Sequence, residues 1–517
     1  MAASRRRPLP GFLRFSRRSW LVGLLAALLA PLPAGAIETI TLKLPMLQNT
    51  FTLKVSELRD PAALLNGSSD LAELNRATNG EIGRRLSALM DSPLPLQLRT
   101  VVRNAVGSPL LDQVLLLISA LGEVDGVQEQ PAQASAQLEL ALQRAAQKGS
   151  VNLLDVLAVL PGQSVSVDLN RFLRALQQLK QQQQQAEPLL AATDPARVDP
   201  RFSGAGDARP TRRSLSISVA HRSTPLPLVV VEPSGKANGK LVVISHGLWD
   251  SPASFEGWAE HLASHGFTVV LPFHPGSDQT QKQAMLSGKA PPPGPAELEL
   301  RPRDVSAVID AAAAGQLSLR VPVDSRSVLV AGHSWGATTA LQLAGVRPSS
   351  QELRQFCTNL QDPARNLSWV LQCSFLTAAD RSGLADPRVK RAVAVSPPMR
   401  LLFAPGAASA MNAEVLLVSG SRDWVVPVGP EAIDPMRSLA DRAGLGGNRL
   451  VLAEGGDHFN LRAPAGEATA PLNGLLLAWF SGSSLSPDAG WGSGLIPLHE
   501  VSAALGSGVR SPAGSSR

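Results

Sequence analysis

Residues Ser327 to Gly336 read S-V-L-V-A-G-H-S-W-G. Val328, Leu329 and Val330 form a short aliphatic run of the kind that fills a buried strand. Gly332-His333-Ser334-Trp335-Gly336 follows without a gap, and Ala337 to Leu341 continue as a helix. No other segment constrains the fold as much. A strand that turns sharply into a helix needs glycine on either side of the turn, because flanking side chains would strike the neighbouring strand and helix. The segment therefore predicts a sheet with Ser334 in a strained turn at the carboxyl end of a strand. It also puts the Trp335 N–H at a helix start, where the backbone dipole favours an anion. The G-x-S-x-G pattern alone is a weak signal in a chain with 43 glycines, so its meaning depends on what else the chain carries.

Three further buried-strand runs end in polar residues. Leu241 to Ile244 runs into Ser245-His246-Gly247-Leu248-Trp249. Val415 to Val418 runs into Ser419-Gly420-Ser421-Arg422-Asp423-Trp424, and Arg449 to Ala453 into Glu454-Gly455-Gly456-Asp457-His458-Phe459. A serine hydroxyl is a poor nucleophile unless a neutral imidazole takes its proton, and the imidazole needs a carboxylate to hold its tautomer. Ser334, Asp423 and His458 stand in the chain order that accompanies this kind of elbow. Leu248 and Trp335 N–H groups would stabilise an oxyanion, the alternative being an ordinary strand-to-loop turn at Gly247. Asp457 reads as a turn residue and Asp304 as the start of a helix running to about Ala314. Asp380 and Asp386 read as solvated, and His246 and His333 as locally hydrogen-bonded. Trp249, Trp335 and Trp424 adjoin the polar loops, either as walls of an apolar pocket or as packing beneath them.

The stretch from about Leu215 to Phe480 resembles the α/β-hydrolase superfamily. It is most similar to the branch of dienelactone hydrolases and platelet-activating-factor acetylhydrolases. The resemblance rests on Ser245-His246-Gly247-Leu248, Gly332-His333-Ser334-Trp335-Gly336, Ser421-Arg422-Asp423-Trp424-Val425-Val426-Pro427 and Gly456-Asp457-His458-Phe459. It implies Ser334 as nucleophile, His458 as base, Asp423 as the orienting acid, and Leu248 and Trp335 as the oxyanion hole. In some members the acid follows the preceding strand. Here that strand, Val389 to Val395, runs into Ser396-Pro397-Pro398 and offers no carboxylate.

The amino terminus reads as an export signal over residues 1–36. Six arginines and no acid precede the apolar run Trp20 to Leu32, and Ala34-Gly35-Ala36 is a cleavage site of small residues. Ser16-Arg17-Arg18-Ser19-Trp20-Leu21 also resembles a twin-arginine signal, and the general secretory route stays open beside it. Removing the signal takes the net charge from +6 to 6 − 6 = 0. A neutral mature chain gives no basis for nucleic-acid binding, and no later stretch is long and apolar enough to span a membrane. Two cysteines, Cys357 and Cys373, lie close together in one insertion. An exported chain is expected to oxidise them to a disulfide, the alternative being two buried thiols; neither a metal nor an organic cofactor is expected.

Five segments follow: the signal 1–36, a smaller, mainly helical domain 37–185, a linker 186–213, the hydrolase domain 214–480, and a flexible Gly/Ser-rich tail 481–517. The first domain opens with strands at Ile37 to Leu44 and Phe51 to Val55. Helices are expected around 71–77, 81–89, 96–106, 109–120, 132–147, 151–160 and 168–185. It resembles the helical domain of exported cyanobacterial α/β hydrolases, and reads either as a bundle packed on the hydrolase or as a lid or docking module. The glutamine run Gln181 to Gln185 reads as a frayed helix end. The second domain alternates strands and helices, the pattern of a mostly parallel sheet covered on both faces. Insertions 277–302 and 347–387 are lid candidates. The function expected is hydrolysis of a small-molecule or lipid ester by an exported enzyme. Thioester or peptide hydrolysis, acyl transfer, or a non-catalytic scaffold are the alternatives.

Overall fold

The computed structural model describes residues 37–43, 50–58, 60–81, 83–84, 104–105, 107–119, 122–125, 140, 144, 163–359, 362, 364–381, 384–466 and 470–506. The expected export signal at 1–36 and the helices expected at 132–147 and 151–160 lie outside these residues, apart from two isolated positions, as do most of those expected at 81–89 and 96–106.

Most of the aliphatic runs form strands. In the amino-terminal region β1 (Thr39–Lys43) and β2 (Thr50–Lys54) stand where strands are expected, whereas β3 (Gly122–Asp125) and β4 (Ser164–Asp168) are strands without a sequence expectation. The large sheet follows, with β5 (Pro210–Ile217), β6 (Leu226–Pro233), β7 (Leu241–Ser245), β8 (Thr268–Pro272) and β9 (Val328–His333). It is completed by β10 (Val389–Val395), β11 (Glu414–Gly420), β12 (Arg449–Ala453) and β13 (Leu498–Glu500). Its nine strands lie in the order β13-β12-β11-β10-β9-β7-β8-β6-β5. From β8 across to β12 every pairing is parallel; β6 and β5 on one edge and β13 on the other are antiparallel. The chain leaves β7 for β8 on one side and returns to β9 on the other. That reversal opens a crevice at the carboxyl ends of β7 and β9, the place where open α/β sheets bind ligands.

Alternation along each strand divides the core between two faces. Leu241 and Val243 face one layer, with the helices Glu297–Ala313 and Trp335–Leu343; Val242 and Ile244 face the other, with Glu256–Ser264 and Asn473–Ser481. All four strand residues are buried. Burial on both faces explains why these strands read as continuous apolar runs.

Two expectations are corrected and one is refined. Among the described residues the amino-terminal region is mainly helical, but β1 to β4 add a sheet of order β2-β1-β4-β3 beside its helices. Segment 186–213 is packed rather than an extended linker. It carries short helices at Glu187–Ala191 and Pro200–Ser203, and Ala186 and Leu189 are buried. Prolines that look like breakers stand in the first turn of both helices, where the missing N–H costs nothing. The tail is also packed as far as residue 506. Trp491 is fully buried, β13 pairs with β12, and Ala196 N–H donates to Leu498 O at 2.8 Å. Gly/Ser composition hid the apolar anchors Leu485, Trp491, Leu498 and Leu505. Among the described residues no helix is long and apolar enough to cross a membrane.

Candidate active site

Ser334 stands between β9 and its helix with φ 54° and ψ −121°. A Cβ on Gly332 would collide with the Gly336 carbonyl, and one on Gly336 with the Ser245 carbonyl. Both glycines are therefore dictated by close backbone approach. The Ser334 N–H donates to Val395 O at 2.9 Å, which pins the turn to β10. Trp249 (φ 57°) and Ser396 (φ 49°) also hold left-handed backbone, one past the end of β7 and one at the end of β10. Strained residues thus cluster around one edge of the sheet, as they do at functional sites.

Asp423 and His458 meet at that edge. His458 Nδ1 is 2.9 Å from Asp423 Oδ2, and both side chains are buried. The other carboxylate oxygen, Oδ1, accepts the Val425 and Val426 N–H groups at 2.9 and 2.7 Å. The loops carrying the pair cross closely, the Arg422 N–H donating to Gly456 O at 2.8 Å. His333 Nε2 lies 2.8 Å from His458 O, and the two rings are 4.7 Å apart. His333 precedes Ser334, so it ties the histidine loop to the elbow. Among the described residues the Ser334 hydroxyl makes no hydrogen bond to the imidazole. Asp457 Oδ1 accepts the Phe459 and Asn460 N–H groups at 2.7 and 2.8 Å, a turn role.

Gly247 lies beside Ser334, where an added Cβ would come within 3.3 Å of the serine Cβ. Neither the Leu248 nor the Trp335 N–H donates to another protein group among the described residues. The aromatic residues divide. Trp335 is buried with its ring 4.5 Å from Phe375 and is packing. Trp249 Nε1 donates to Gln281 Oε1 at 2.9 Å, fastening the loop after β7 to the helix Gln279–Leu286 of insertion 277–302. Trp424 is 47% exposed and faces Phe459, 45% exposed, at 6.1 Å. Sequence places Phe459 only as the neighbour of His458; its position opposite Trp424 comes from the fold, because an aromatic residue beside a histidine has no sequence pattern of its own.

Insertion 347–387 carries the helices Gln351–Phe356 and Ser368–Cys373, and a disulfide joins Cys357 to Cys373 with Cα atoms 5.6 Å apart. Glu431, fully buried, accepts hydrogen bonds from Ser368, Gln372 and the Met399 and Arg400 N–H groups, fixing this insertion to the loops after β10 and β11. Burial raises its carboxyl. Two expectations about carboxylates are corrected. Asp386 is buried and paired with Arg388 at 2.7 Å, because the insertion folds back on Ser306. Asp304 lies within the helix Glu297–Ala313, not at its start, and is fully buried. Among the described residues no group of three or more His, Cys, Asp or Glu side chains is arranged to hold a metal. Clefts of about 270 and 500 Å³, lined by residues such as Glu414 and Lys240, lie at the amino ends of the strands, the edge opposite Ser334.

Comparison with known proteins bears on the whole. Residues 240–351 match a family model described as alpha/beta hydrolase fold, and residues 36–168 match one described as an alpha/beta hydrolase of unknown function. Over 120 residues the chain is 29% identical to chlorophyllase-1, chloroplastic, of Citrus sinensis. That match covers 23% of this chain and 33% of the relative, so it spans about a third of the relative's length. Two models of one superfamily thus match separate parts of a chain whose sheet reverses its order beside a glycine-flanked serine elbow, and the chain belongs to the α/β-hydrolase superfamily.

Proposed function

We propose that this protein is an exported serine hydrolase that cleaves carboxylic esters. The observation that carries the reading is the Asp423–His458 hydrogen bond at the sheet edge that also holds the strained Ser334 turn. The relative named a chlorophyllase, an ester hydrolase, supports an ester as substrate.

In this mechanism Ser334 Oγ attacks the ester carbonyl carbon as His458 Nε2 removes its proton. Asp423 holds the imidazole with its Nδ1–H toward the carboxylate and stabilises the cation that forms. The carbonyl oxygen, now an oxyanion, accepts the Leu248 and Trp335 N–H groups. Protonated His458 gives its proton to the departing alcohol, leaving an acyl-serine. Water, deprotonated by His458, then releases the acid and restores Ser334. The hydroxyl–imidazole contact tightens when substrate binds, as such contacts commonly do. Trp424 and Phe459 give the mouth of the site an apolar surface suited to a hydrophobic acyl or alkyl group.

Labelling with a fluorophosphonate probe tests the reading. Wild type should label, and Ser334→Ala and His458→Ala should not. An unlabelled, folded wild type would favour a scaffold. Hydrolysis of p-nitrophenyl esters of increasing chain length separates ester cleavage from the alternatives. Export is tested by mass spectrometry of the mature chain, which should begin at Ile37.

A further inference from the structure

Beneath the loop that carries Leu248 lies a second serine–histidine–aspartate row, which the reaction does not touch. Ser245 Oγ is 2.9 Å from His274 Nε2, and His274 Nδ1 is 2.7 Å from Asp304 Oδ2. Ser245 is 2% exposed, and His274 and Asp304 are 0% exposed, so no substrate reaches them. The row is embedded in charge. Asp304 Oδ1 also takes His221 Nε2 at 2.8 Å and Arg222 Nε at 3.0 Å, and Oδ2 takes Arg222 Nη2 at 2.6 Å. Arg222 Nη1 donates to Glu297 Oε1 at 2.6 Å, and Ser277 Oγ to Glu297 Oε2 at 2.8 Å. Arg301, buried in full, donates to Ser277 Oγ at 2.7 Å and to the His246 carbonyl.

The protons can be assigned. Burial, with the charge of Arg301 beside it, lowers His274 to about 3, so its ring is neutral at physiological pH. Its Nδ1–H then donates to Asp304, and its Nε2 accepts the Ser245 hydroxyl. Burial likewise holds His246 well below its ordinary value. His246 Nε2 accepts the His274 N–H at 3.3 Å, which leaves Nδ1–H to donate to Gly247 O at 2.7 Å. Burial alone would raise Asp304, but hydrogen bonds from His221, His274 and Arg222 outweigh it and hold the carboxylate ionised. Side chains or carbonyls of Ser245, His246 and Gly247 are thus all held by one buried network.

We propose that His274 is a positioning residue for the oxyanion loop. With Asp304 behind it and Arg301 on the neighbouring carbonyl, it fixes the three residues that precede the Leu248 N–H. Gly247, packed against Ser334, passes any slip of the loop to the elbow. The catalytic use of the loop rests on the hydrolase reading; its fixation does not.

His274→Ala removes a fully buried ring and puts the fold at risk, so Ser245→Ala, which deletes only a hydroxyl, is its companion. Both are measured in the full mature chain. Each should lower kcat for p-nitrophenyl acetate about 10- to 100-fold, part of the loss that follows removal of an oxyanion donor outright. KM should stay within about twofold, because the loop acts mainly on charge that develops in the transition state. Deuterium uptake at 246–249 should rise while uptake in the helix Trp335–Leu343 does not. A folded Ser245→Ala variant with wild-type kcat, or with wild-type uptake at 246–249, overturns the proposal. A wild type inert to esters and to the fluorophosphonate sinks the hydrolase reading alone, and the exchange measurement then decides.

Discussion

Asp423 shows how much a single residue carries. Its Oδ1 is committed to two backbone N–H groups and its Oδ2 to His458, so the carboxylate has no freedom to rotate. Asp423→Asn keeps the shape but cannot keep the pattern. If the amide oxygen stays on the two N–H groups, its NH₂ faces Nδ1 and forces the wrong imidazole tautomer. A fall in kcat on the order of 10⁴ is expected on p-nitrophenyl esters. Gly336→Ala should act through the backbone instead, because its new methyl meets the Ser245 carbonyl. Overpacking of this kind costs about 1–3 kcal/mol, read as a lower urea midpoint. The Ser334 turn and the Asp423–His458 pair were legible because each of the three residues follows a strand run and a glycine. Asp304 was misread as a helix start because a carboxylate ahead of an apolar stretch looks like a cap. Only the fold brings His274 to it, from 30 residues away, with Ser245, 59 residues away, bonded in turn to His274.

At the scale of elements, the glutamine run is the clearest case of composition misleading. The helix Leu169–Gln184 does not fray there. Gln182 is buried and donates to Ala364 O at 3.0 Å, and Gln183 donates to Asp423 O at 3.2 Å. A run of identical polar residues has no apolar stripe, so its docking against the acid loop could not be read. Gln183→Ala should lower stability by about 1 kcal/mol, the worth of one such hydrogen bond. The disulfide acts on another element. It closes a loop of sequence separation 16 that ties the end of the helix Gln351–Phe356 to the end of the helix Ser368–Cys373. A cross-link of that span removes about 3 kcal/mol of unfolded-state entropy. The double variant Cys357→Ser/Cys373→Ser should lose about that much in urea unfolding, and the wild type should lose it only under reducing conditions.

For the molecule as a whole, the parallel sheet was legible because strands buried on both faces read as unbroken apolar runs, while its β13 edge was not. Antiparallel β13 and the packed segment 186–213 consist of short pieces held by scattered anchors such as Leu189 and Trp491. Burial also sets how the whole fold responds to acid. His246 and His333 are held well below 6.5, His274 at about 3 and His261 at about 4, in each case chiefly because burial disfavours the cation. Above pH 6.5 these rings are neutral in both states and cost nothing. Between pH 6.5 and 4 the unfolded chain binds four protons that the folded chain excludes, so stability falls as pH falls. Each ring contributes up to about 1.4 kcal/mol per pH unit, and the set on the order of 5 kcal/mol between pH 6 and 5. Glu431, Asp278 and Asp434, whose carboxyls burial raises, take up protons in the folded state and offset part of this loss at the lower end. Calorimetry from pH 7.5 to 4.5 should therefore show Tm steady near neutrality and dropping steeply below about pH 6.5. His261 lies on the helix Glu256–Ser264, on the opposite face of the sheet from the elbow helix. His261→Gln should therefore shallow the slope by about a quarter without touching the site. A Tm unchanged from pH 7 to 5 would mean that these rings are protonated, or reached by water, inside the folded protein.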